Sequence, residues 1–95
     1  MNEKELYQQK KQAQLDEWKA DVNKLKAKAS GASVDTQLGL KKQVEVLEGK
    51  VEEGKVRLAE IADASEEAWK SIKVSVDSSW NSMTSAFSDA AAKFK

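Results

Sequence analysis

The sequence predicts an all-α protein built as a coiled-coil helical hairpin, and three observations predict it. Apolar residues recur at spacings of three and four along most of the chain, the signature of amphipathic helix rather than strand. Proline is absent and glycine occurs only four times, so few positions resist a helix. Charged residues make up 34% of the 95 and apolar residues 40%, a balance that suits long solvated helices with a narrow buried seam.

The first helix is predicted over about residues 2–30. Asn2 is placed to cap it, and Glu3 and Glu5 suit the positive end of its dipole. Its apolar seam runs Leu15, Trp18, Val22, Leu25, Ala29, a heptad a/d stripe. Upstream, Gln8 and Lys11 fall on the extrapolated seam positions, so the first two turns are expected to fray. Ser30-Gly31-Ala32-Ser33 is the best break in the chain. Glycine just past a lysine-rich helix end is a C-cap signal, and Ser33 or Asp35 is placed to cap the next helix. The turn is predicted over about residues 31–35.

The second helix is predicted to be long, over about residues 36–94. Its seam begins Leu40, Val44, Leu47, Val51, Gly54, Leu58, Ile61, again at heptad spacing. Gly54 costs about 1 kcal/mol of helix propensity against alanine, and either leaves a gap or permits close approach. Beyond Ile61 the stripe passes through Ser65 into an eleven-residue (hendecad) repeat. Ser65, Val76 and Phe87 share one position, Trp69, Trp80 and Ala91 the next, and Ile72, Met83 and Phe94 the third. Eleven residues make almost three helical turns, so these side chains stay on one face. No phase is lost between Leu58 and Phe87, and no glycine or proline falls between them. One helix of roughly 90 Å is the simplest expectation, against roughly 42 Å for the first.

That length difference has a consequence. The first helix covers the second only to about residue 62, leaving an apolar overhang that soluble monomers rarely tolerate. The overhang holds two of the three tryptophans. Self-association through Trp69, Ile72, Val76, Trp80, Met83, Phe87 and Phe94 is the expected remedy. The intrachain seam is then Leu15, Trp18, Val22 and Leu25 against Leu40, Val44, Leu47, Val51, Leu58 and Ile61. Two alternatives stay open. The helix can break near residues 63–65, with Ser65 as N-cap, and fold back as a monomeric three-helix bundle. Or the stripe can lie on a lipid or other apolar surface. Eight serines fall between Ser65 and Ser88, and serine is a mediocre helix former. This segment therefore needs a partner to order it.

Composition excludes several chemistries. Cysteine and histidine are absent, which removes disulfides and thiolate or imidazole metal sites. Glu48, Glu52 and Glu53 are left to hold a hard cation at most weakly. The neighbouring carboxylates Asp16/Glu17, Glu52/Glu53 and Glu66/Glu67 point in different directions, whereas acid–base catalysis needs convergence in a pocket. The serines have no histidine to activate them, and no glycine motif cradles phosphate. An enzyme is not expected, nor a cofactor. Net charge is zero and evenly spread, so the cationic footprint of a nucleic-acid binder is missing. Trp18, Trp69 and Trp80 read as core or interface anchors rather than base-stacking platforms. The N-terminal residues lack the apolar core of a secretory signal, and no run of about 18 apolar residues exists to span a bilayer. A soluble cytoplasmic location is the expectation.

Several segments resemble a family. Gln14-Leu15-Asp16-Glu17-Trp18, Val22-Asn23-Lys24-Leu25-Lys26-Ala27-Lys28-Ala29, Ala64-Ser65-Glu66-Glu67-Ala68-Trp69, Trp80 and the tail at residues 90–95 resemble, in that order, small bacterial coiled-coil stress-response proteins. The middle of that family is usually richer in glutamate, glutamine and alanine, and Gly31, Gly39, Gly49 and Gly54 depart from it. The resemblance implies a bacterial, cytoplasmic coiled coil with no catalytic residues to carry over. The expected function is thus a structural or stress-associated protein that acts by helix–helix self-association, as a homo-oligomer or a filament. The alternative is a lipid- or surface-binding protein acting through residues 65–94. Their pattern is similar to the eleven-residue amphipathic helices of exchangeable apolipoproteins.

Overall fold

The computed structural model describes residues 2–93. Three helices follow one another: α1 (Glu3–Ser30), α2 (Val34–Asp63) and α3 (Ala68–Lys93). They contain 28, 30 and 26 residues, about 42, 45 and 39 Å at 1.5 Å per residue. The molecule measures 51 × 20 × 19 Å, so the three rods lie side by side. The connections, residues 31–33 and 64–67, are short enough to make successive helices antiparallel neighbours.

Each helix begins where a small polar side chain satisfies an otherwise unpaired backbone N–H. Asn2 Oδ1 accepts from the Glu5 N–H at 2.8 Å. Ser33 Oγ lies 3.5 Å from the Thr36 nitrogen and donates to Thr36 Oγ1 at 3.0 Å. Ser65 Oγ accepts from the Ala68 N–H at 3.2 Å. At the end of α1 the Gly31 N–H donates to the Lys28 carbonyl at 3.3 Å. Gly31 has φ −100° and ψ 4°, so the left-handed conformation expected of a glycine C-cap is not used. The start of α1 is helical from Glu3, where the sequence predicts fraying, because Tyr7 packs against the core.

The two-helix hairpin with one helix over residues 36–94 is corrected by the break at residues 64–67. Ala64 is extended, with φ −79° and ψ 148°, and the chain doubles back there. The physical reason lies in the apolar stripe. A straight helix would leave residues 69–87 in water, whereas folding back buries them at the cost of one corner. Two groups hold that corner. Ser65 caps α3, and Lys4 Nζ donates to the carbonyls of Ala64 at 2.7 Å and Ala62 at 3.3 Å. The end of α2 is thereby capped by a cation, which suits the negative pole of the helix.

One apolar core runs the length of the bundle. Leu15, Trp18 and Val22 come from α1, and Val44, Leu47, Val51, Leu58 and Ile61 from α2. Trp69, Val76, Trp80, Met83, Phe87 and Ala90 come from α3. Leu40 is also buried, and Leu25 is half-buried. Gly54 of α2 sits opposite the bulkiest contacts. A Cβ at this position would lie 2.9 Å from Leu15 Cδ2, 3.1 Å from Met83 Cε and 3.2 Å from Trp80 Cη2. The missing side chain is what lets α1 and α3 bring Leu15 and Trp80 over the same point of α2. Gly39 and Gly49 meet nothing and lie exposed on the solvent side of α2.

These two environments make opposite predictions. Gly49→Ala gains helix propensity in open space and should raise unfolding free energy by about 1 kcal/mol. Gly54→Ala gains the same propensity but overpacks a filled core, which costs about 1–3 kcal/mol. Urea denaturation should place Gly54→Ala below Gly49→Ala. Equal stabilisation of both would show that Gly54 is not a packing requirement.

Candidate interaction site: the aromatic seam between α1 and α3

The residues expected to seek a second chain are covered within this one. Trp69, Val76, Trp80, Met83 and Phe87 are buried and Ile72 is half-buried. Phe94 lies outside the described residues. The premise of a bare overhang is therefore corrected: α1 and α2 of the same molecule shield it. The ten residues expected as the intrachain seam all turn inward. Eight belong to the core itself, Leu25 packs half-buried against it, and Leu40 is buried near the start of α2.

Aromatic rings carry the contact between α1 and α3. Trp18 stacks on Phe87 with centroids 5.3 Å apart and meets Trp80 at 5.8 Å with a tilt of 43°. Tyr7 meets Trp69 at 5.8 Å with a tilt of 46°. Such pairs contribute about 0.5–1.5 kcal/mol each beyond area burial. Large rings let α1 and α3 bury a shared surface while both also pack on α2.

The rim of this seam is polar, and the periodic pattern of the sequence does not single out its residues. Tyr7 Oη donates to Asp77 Oδ1 at 2.5 Å, and Lys11 Nζ lies 3.5 Å from the same oxygen. Lys11 Nζ also sits 5.3 Å from the Tyr7 ring centroid and 5.5 Å from that of Trp80. Lys73 Nζ lies 5.5 Å from the Tyr7 ring and 6.0 Å from the Trp69 ring. Both lysines are within reach of a cation–π attraction. Lys4 and Lys11 stand on the α1 seam line at heptad spacing before Leu15. Their stems extend that seam, and their charged heads leave it.

Burial and the hydrogen bond to Asp77 push the Tyr7 phenol well above its ordinary pKa. A general base or nucleophile would need the reverse shift, so this tyrosine is a structural donor. Among the described residues no group of three or more acidic side chains is arranged to hold a metal ion. No described helix is long and apolar enough to cross a membrane. An open groove between the end of α1 and the start of α2 is lined by Ala29, Gln37, Lys41, Val44 and Glu45. Across it Lys26 pairs with Glu48 at 2.7 Å.

One feature of the seam is unfavourable. The indole N–H groups of Trp69 and Trp80 are buried, and no described protein atom accepts from either. An unmade hydrogen bond of this kind costs about 1–3 kcal/mol. Both lie on α3. Arg57 Nε on α2 is likewise buried without an acceptor, but α3 leaves two such groups.

Compared with protein-family models, with curated proteins and with solved structures, the chain matches none.

The Tyr7–Asp77 contact gives a pH prediction. A phenol whose folded-state pKa is raised contributes stability that is fully present below its unfolded pKa of about 10. That contribution is lost as pH rises through the folded value, because the unfolded state ionises first. At pH 8, Tyr7→Phe should cost about 1 kcal/mol. Above pH 10 the difference between wild type and variant should shrink, as read from thermal unfolding of both proteins. A difference that grows with alkalinity would contradict the assignment.

Proposed function

We propose that the chain is a structural, non-catalytic helical protein that works by helix–helix association, with a second copy of itself as partner. The phase of the apolar seam carries this reading. Leu58, Ile61, Ser65, Trp69, Ile72 and Val76 follow one another at the spacing of a single helix, although the chain turns a corner between Asp63 and Ala68. A loop imposes no phase relation on the helices it joins. A seam in register through the corner serves two arrangements, one folded back and one extended. The sequence resemblance to small bacterial coiled-coil stress-response proteins adds a role under stress in a bacterial cytoplasm. Reciprocal association closes as a dimer, and staggered association runs on as a filament.

Light scattering across a concentration series tests this. The mass should rise from the 10.5 kDa of one chain toward twice that value. A single-chain mass at every concentration, up to the millimolar range, would remove the proposal.

A second reading is favoured by the unpaired indoles. At a lipid–water interface the N–H groups of Trp69 and Trp80 would find acceptors while their rings stayed in apolar surroundings. The serine-rich polar face of α3 is compatible with such a surface. Co-sedimentation with zwitterionic vesicles should then carry the protein down and shift its tryptophan emission. No co-sedimentation at any lipid ratio would dispose of it.

A further inference from the structure

We infer that residues 64–67 form a hinge through which two copies exchange α3. In the exchanged form α2 and α3 straighten into one helix, and each α3 seats on α1 and α2 of the other copy. This inference rests on the self-association proposed above and specifies how that association is made.

The corner is built to open. Its residues are Ala64, Ser65, Glu66 and Glu67, all of which a helix accepts at little cost. No described residue has positive φ, so nothing in the corner is locked in a conformation reserved for glycine. Ala64 departs from helix through its ψ of 148°. Straightening would replace the capping contacts at the end of α2 and the start of α3 with regular intrahelical hydrogen bonds. Against this gain stand, among the described residues, the two contacts of Lys4, the Ser65 cap and the hydrogen bond from the Ala64 N–H to the Ile61 carbonyl.

The exchanged form conserves the core. Trp18 on Trp80 and Phe87, Tyr7 on Trp69, and Trp80 over Gly54 are each remade between chains instead of within one. Because the seam keeps phase, the extended helix presents Leu58, Ile61, Trp69, Ile72 and Val76 along one face. The two extended helices run antiparallel and cross on a two-fold axis near Ser65. The seam residue at that crossing is small, which permits close approach. The interface is isologous and closed, with no face left over for further copies. The extended helix, residues 34–93, would be about 90 Å long.

The test uses two single-cysteine chains, since the protein has none of its own among the described residues. Lys11→Cys is placed in one chain and Asp77→Cys in another of distinguishable mass. The native side chains at these positions lie 3.5 Å apart. The two proteins are mixed at high concentration and treated with a short bismaleimide. Exchange predicts a heterodimer joined through positions 11 and 77, and a larger yield when Lys4→Gln and Ser65→Ala are added to both chains. Glu66→Pro supplies the complementary control. Residue 66 lies in the connection, between the capping Ser65 and the start of α3, where proline is tolerated, whereas an extended helix would carry proline in its interior. That variant should remain a folded monomer by circular dichroism and dimerise at least about a hundredfold more weakly. Dimers that form without the 11–77 link, or that ignore Glu66→Pro, would overturn exchange and leave self-association standing. Monomers throughout, including the Lys4→Gln/Ser65→Ala protein, would overturn both.

Discussion

The structure depends on the seating of Trp80. This side chain comes from α3, stands against Trp18 of α1, and reaches over Gly54 of α2. A ring of this size fits between three helices here because Gly54 gives up volume at this level. Interiors are packed at nearly crystalline density, so a hole on one helix is the counterpart of a large ring on another. Leu15 and Met83 close the same contact from either side. The helix-weakening glycine and the bulkiest side chain are two halves of one packing decision.

Much of this is legible in the sequence, and the remainder has a physical reason for being hidden. Asn2 and Ser33 announce their helices because a short polar side chain before a periodic run has one common use. The seam positions are readable because period alone decides which face is buried. The corner at residues 64–67 is visible only as an alternative. The signals that normally mark a stop, proline, glycine or a lost phase, are all missing there. Ser65 followed by Glu66 and Glu67 is a start signal, yet Ser65 also fits the seam as a small residue. What turns the chain is tertiary: within a single molecule the stripe beyond it finds cover only by folding back. Lys4 closes the end of α2 from a helix 60 residues away in sequence, and no local pattern reveals that. The rim of Tyr7, Lys11, Lys73 and Asp77 is hidden for a similar reason. Polar heads at seam positions look like a failing seam until the partner helix is known.

Covering the stripe changes what drives association. A bare overhang would force a partner on every molecule. A covered one makes the proposed partnership conditional on opening the corner, and on that proposal the balance between folded-back and extended forms would set how much assembles. α3 is suited to that balance. It is rich in serine, it leaves two indole N–H groups unpaired, and it is tied to α2 by four residues. The aromatic contacts with α1 oppose its departure. Net stability of folded domains is only about 5–15 kcal/mol, so contacts of about 1 kcal/mol at Lys4 and Ser65 are large enough to matter.

Small-angle X-ray scattering of dilute protein tests most directly whether the tail is housed by its own molecule. A folded-back chain gives a radius of gyration near the 15.4 Å of the backbone and a longest backbone dimension near 51 Å. A rod-like profile with a maximum dimension approaching about 90 Å, at a mass of one chain, would mean that α2 and α3 are one helix in the monomer. That result would contradict a tail sheltered by α1 and α2 of its own chain.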